Sequence, residues 1–112
     1  MEAVVNRFGG NATLVRELIA LFVEQCPRML DEMRASVGAG CANRIQRSAH
    51  SVKGAVGNFT TGPAFDAALA LERVGRSGDV AGAPEALAAL EREVADLLRR
   101  MHRFAEASIC AS

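Results

Sequence analysis

The sequence predicts an all-α fold, an antiparallel four-helix bundle with a short additional N-terminal helix. Apolar residues recur at three- and four-residue steps in four successive segments. No stretch keeps a two-residue alternation long enough to suggest a strand. The breaks between segments, "GAG" at 38–40, "TTGP" at 60–63 and "GRSGD" at 75–79, are short and marked by glycine or proline, so each helix must turn back along its predecessor. With 112 residues the chain is expected to form one domain over 1–112, able to bury one core and not two.

The opening "EAVVNRF" is the short extra helix, expected to lie across one end of the bundle. Gly9 and Gly10 break it, and Asn11 is placed to cap the next helix. That first long helix carries Leu14, Leu18, Leu21, Phe22, Cys26, Met29, Leu30, Met33 and Val37 as its apolar stripe. Pro27 lies inside it and removes a backbone donor, so a kink is expected there. The second helix runs from about Ala42 to Phe59. Pro63 opens the third at the first helical position, where its missing N–H does no harm, and "GRSGD" ends it. Pro84 opens the fourth, where Leu87, Leu90, Val94, Leu97, Leu98, Met101 and Phe104 come close to a heptad pattern.

Composition narrows the function classes. Lys+Arg and Asp+Glu balance at 13 each, so no global charge draws the chain to nucleic acid or membrane. The longest apolar runs, such as "LIALFV", are too short for a transmembrane span or signal peptide. Cys26, Cys41 and Cys110 are an odd set without a CxxC pair, read as reduced thiols of a cytoplasmic protein. "KGAVG" has its lysine before the glycines, so it is not a phosphate loop, and no kinase catalytic loop is present. ATP chemistry by this chain alone is therefore not expected, and it is not read as an enzyme. His50 and His102 lie on separate helices without HxxxH or Cys-His spacing, so no metal site is expected.

The second helix holds the informative stretch, "SAHSVKGAVGNF". At about 100° per residue, Ile45, Ala49, Val52, Val56 and Phe59 gather on one side. Asn43, Gln46, Arg47, His50, Lys53, Gly54 and Gly57 gather on the other, with the imidazole at the centre of the polar half. A glycine inside a helix costs about 1 kcal/mol relative to alanine. Gly54 and Gly57 beside His50 and Lys53 leave bare backbone where another macromolecule can bring a reactive group close. Taken singly, His50 and Lys53 would be solvated side chains.

The stretch "AHSVKGAVGNF" resembles the signature of histidine phosphotransfer (HPt) domains, with His, two residues, Lys-Gly, a small-residue stretch and an apolar residue. "RFGGNATLVRELIALFVEQCPRML" is similar to the family's first long helix, and "LALERVGRSGD" to the end of its third. Thr60-Thr61 stands where many members have Gly-Ala. The resemblance implies that His50 carries a phosphoryl group, through Nε2, to or from a receiver-domain aspartate in a two-component phosphorelay. It implies that Lys53 offsets charge on the phosphoryl oxygens. Glu72 shares a face with Phe65, Ala68 and Leu69, and either orients the ring through Nδ1 or reaches solvent at the rim. Gly54 and Gly57 would form the floor for the partner. Gln46 and Arg47 either contact it or belong to a plain polar face.

No carboxylate cluster lies near His50 in the sequence, so no cofactor is expected in the chain. Mg²⁺, with the acidic pocket, would come from the response-regulator receiver partner. A monomer is expected, either free-standing or as the end domain of a hybrid sensor kinase, and "SICAS" would suit a chain terminus. The competing reading is a helical interaction module that binds through the same face without taking phosphate.

Overall fold

The computed structural model describes residues 2–110, and side chains over 4–106. Five helices follow in order, α1 (Glu2–Arg7), α2 (Ala12–Gly38), α3 (Ala42–Gly57), α4 (Pro63–Ser77) and α5 (Ala83–Cys110), and no strand occurs among the described residues. The last four make the bundle: α3 packs on α2 and α4, and α5 closes it against α4 and α2. At 1.5 Å per residue α2 and α5 are about 40 Å long and α3 and α4 about 24 Å. The molecule is accordingly elongated, 49 × 21 × 17 Å.

The helix ends follow local chemistry. Asn11 Oδ1 accepts the Leu14 N–H at 3.0 Å, capping α2. The α2 backbone stays helical through Pro27, whose ring is on the exposed side. Pro63 is the first residue of α4, and Gly78 ends that helix in the left-handed conformation at φ 82°. α1 packs against α2, with Val4 buried. Its Arg7 guanidinium donates to the carbonyls of Gly57 and Asn58 at 3.3 and 2.9 Å, satisfying acceptors that the end of α3 leaves open.

The core is aliphatic. Ile45, Ala49, Val52, Val56 and Phe59, the apolar side read from the sequence, are all buried. They meet Leu71 from α4 and Leu90, Val94, Leu97 and Met101 from α5. Phe22 meets Phe59 edge-on, with ring centroids 5.4 Å apart.

The stripe of α2 differs from the sequence reading. Leu14 and Leu21, expected inward, are exposed, while Val15 and Ile19 are buried with Phe22, Cys26 and Met33. The segment "LVRELIALFV" is apolar around most of its circumference, so its own pattern does not set its rotation. The neighbouring helices do, and they turn Val15, Ile19 and Phe22 inward while Leu14, Leu21 and Val23 face out. Ser36 is also buried, its Oγ donating to the Glu32 carbonyl at 2.9 Å and lying 3.0 Å from Ser48 Oγ on α3.

Cys26 is buried and Cys41 partly so, and both are free thiols. Burial pushes the Cys26 thiol pKa up, which disfavours the reactive thiolate. Cys110 lies outside the described side chains.

Candidate functional site

α3 and α4 approach each other unusually closely, and one glycine permits it. A Cβ on Gly75 would meet the Gln46 backbone nitrogen at 2.5 Å and the Ala42 carbonyl oxygen at 2.7 Å. Only a residue without a side chain fits there. Gly75 is three residues beyond Glu72, and Gln46 is one turn before His50, so this contact holds the Glu72 carboxylate within reach of the imidazole. In the sequence, Gly75 reads as part of a helix stop. The helix runs on to Ser77, and Gly78 ends it.

His50 stands on the outward side of α3 with its side chain 68% exposed. Its Nδ1 lies 2.8 Å from Glu72 Oε2. An ionised carboxylate only accepts, so Nδ1 carries the proton and donates. Nε2 is left with its lone pair free, on an exposed ring.

Glu72 is only 2% exposed, a burial that costs several kcal/mol for an unpaired carboxylate. Three cationic or donor groups offset it. Lys53 Nζ forms an ion pair with Oε1 at 2.7 Å, and that buried oxygen has no hydrogen-bond partner of good geometry among the described residues. His50 and the Arg76 guanidinium, at 3.3 Å, share Oε2. The Lys53 contact is the main reason the Glu72 pKa lies below the ordinary carboxylate value; burial opposes the shift and the His50 hydrogen bond adds to it. Glu72 is therefore an anion at neutral pH, and of the two sequence alternatives it takes the inward one. Lys53 is drawn over it and is only 21% exposed, not freely solvated.

The two glycines differ. A Cβ on Gly54 would meet nothing within 4 Å, so the surface beside His50 is open. At Gly57 it would touch the Phe65 ring at 3.4 Å. Gly57 is therefore partly covered by α4 and belongs to the helix packing more than to an open floor. Gln46 is half-buried by the same close approach, whereas Arg47 is exposed. The sequence reading missed Arg76. Its signal was present, a Glu and an Arg four residues apart on one helix.

A family model described as the Hpt domain matches residues 17–100. The chain belongs to the Hpt domain family. No curated protein and no solved structure matches it. Hpt domains are phosphocarriers of histidine phosphotransfer in two-component signalling, not kinases, and they interact with response-regulator receiver domains in general. Among the described residues of this Hpt domain, no cluster of His, Cys, Asp and Glu could hold a metal ion. No helix is long and apolar enough to cross a membrane among those residues.

Proposed function

We propose that His50 is the residue of this Hpt domain that carries the phosphoryl group between receiver aspartates in a cytoplasmic phosphorelay. The observation supporting this most directly is the 2.8 Å contact from Nδ1 to a buried carboxylate, on a ring whose other nitrogen is open to solvent. Nε2 attacks the phosphorus of an aspartyl phosphate. The N–P bond forms as the P–O bond to the aspartate breaks, and the aspartate leaves as a carboxylate. The proton stays on Nδ1, so positive charge develops on the ring as its lone pair is committed, and the Glu72 anion stabilises it. In the return direction the same bonds form and break in reverse.

Lys53 provides the complementary charge. Its ammonium has three donors, so it keeps its contact with Glu72 Oε1 and still offers protons to the phosphoryl oxygens. Arg76 is a second cation at the same carboxylate. Mg²⁺ and the acidic pocket come with the receiver, and open backbone at Gly54 with exposed Arg47 beside it receives that partner. The test is incubation with a phosphorylated receiver domain and Mg²⁺. Acid-labile, base-stable label is expected on the native chain and none on His50→Gln; equal labelling of both would remove His50 from the reaction.

A further inference from the structure

A groove between α2 and α3 adjoins His50. It has a volume of about 500 Å³, and its walls include Arg28 and Met29 from α2 with Arg44, Arg47 and Val52 from α3. Arg47 is one turn before His50 and Ser51 directly after it, so the groove opens beside the imidazole, on the side away from Glu72. Its charge is one-sided. Arg44 pairs with Glu32 at 3.4 Å. Arg28 and Arg47 are exposed and pair with no carboxylate among the described residues.

Within the groove lining these arginines face one carboxylate, Glu32, which pairs with Arg44, while Lys53 and Arg76 on the other side of His50 pair with Glu72. A chain of zero net charge has thus gathered cations at one histidine. The apolar floor of Met29 and Val52 gives the groove something to bury, and the unpaired guanidinium groups give it a sign preference.

We propose that this groove receives an acidic segment of the receiver domain, and that Arg28, Arg44 and Arg47 select among receivers by charge. The proposal rests on the reading of His50 as the phosphoryl carrier. It adds which residues choose the partner. Cations lining a concave surface raise the encounter rate with an anionic partner by about 10- to 1,000-fold, an effect that salt removes. Selection would therefore appear in kcat/KM, through association, and not in the transfer step of the formed complex.

The test compares native chain with Arg28→Glu/Arg44→Glu, using a panel of phosphorylated receivers of acidic and basic surface. Rates are measured at about 0.01 M and about 0.1 M salt, over which the screening length falls from about 30 to about 10 Å. Phosphoramidate, a small donor that needs no docking surface, labels His50 in parallel and reports that each variant is folded and reactive. The native chain should favour acidic receivers and slow as salt rises. The double variant should lose about tenfold or more in kcat/KM at low salt, with little further salt dependence. Rates within twofold of native for the double variant, or a native rate indifferent to salt and to receiver charge, would overturn the groove while leaving His50 in place. If neither a receiver nor phosphoramidate labels His50, or if no receiver labels the native chain, the carrier reading itself fails and the groove with it.

Discussion

Replacing Glu72 by alanine should slow phosphoryl transfer to His50 about fivefold. The carboxylate fixes the ring proton on Nδ1 through a 2.8 Å hydrogen bond, leaving Nε2 as the free nucleophile. A hydrogen bond to a charged group contributes about 1.5–3 kcal/mol to stability. Water competes at a ring 68% exposed, which screens this to about 1 kcal/mol. At 298 K, about 1 kcal/mol of stabilisation lost from the ring as positive charge develops on it is a factor of about 5 in rate. The assay is single-turnover transfer from a phosphorylated receiver, read beside the ¹⁵N resonances of the His50 ring. Glu72→Gln separates geometry from charge: its amide oxygen still accepts the Nδ1 proton, but it cannot offset the developing charge. It should therefore keep the ring tautomer and lose part of the rate. A Glu72→Ala protein whose rate stays within twofold and whose ring resonances do not move would refute the reasoning.

Acid should act on stability through the same carboxylate. The Glu72 pKa is lower folded than unfolded, so its contribution is fully present above the unfolded carboxylate value and is lost as pH falls through the folded one. Acid titration of stability should be shallower for Glu72→Gln than for the native chain over that window, and parallel curves would rule this out. Gly75→Ala forces a methyl against backbone on α3, which overpacking prices at up to about 3 kcal/mol and helix propensity returns by about 1 kcal/mol. The net is a Tm lower by about 8 °C in calorimetry, with slower transfer because Glu72 moves away from His50. Gly54→Ala points into open space and should raise Tm by about 4 °C while slowing transfer from a receiver; higher stability with undiminished transfer would show that the bare backbone there serves no partner.

The legible part of the fold was the part with a divided pattern. α3 separates its apolar and polar residues cleanly, and every residue assigned to its inner side, from Ile45 to Phe59, is buried. In α2 the apolar residues spread around the helix, and the rotation had to come from packing, which is why Leu14 and Leu21 emerge exposed. At the site, His50 and Lys53 were visible because they share a short, polar helix face with glycine. Glu72 was visible as a carboxylate among apolar neighbours. Arg76 and Gly75 were not, because a surface Glu–Arg pair is common and a glycine near a helix end looks like a stop. What distinguishes Gly75 is the backbone of another helix 2.5 Å from where its Cβ would be, and no local pattern encodes that distance.

The arrangement also explains how a carrier can hold its group without destroying it. Hydrolysis of a phosphorylated imidazole would need an activated water and a route for charge off the phosphoryl group. The carboxylate in contact with His50 is paired and buried: Oε1 faces Lys53, and Oε2 faces the imidazole Nδ1 and Arg76. Its depressed pKa also makes it a weak base for water. Glu72 would thus orient the ring without an exposed oxygen to prepare a nucleophile. Catalytic charge would then be completed only when a receiver brings Mg²⁺ and its aspartate to Nε2, so the timing of transfer is set by encounter between the two proteins. On the reading proposed above, control over that encounter would belong to the surface around His50, where Gly54 leaves open space and the arginines of the α2–α3 groove would give the approach a sign.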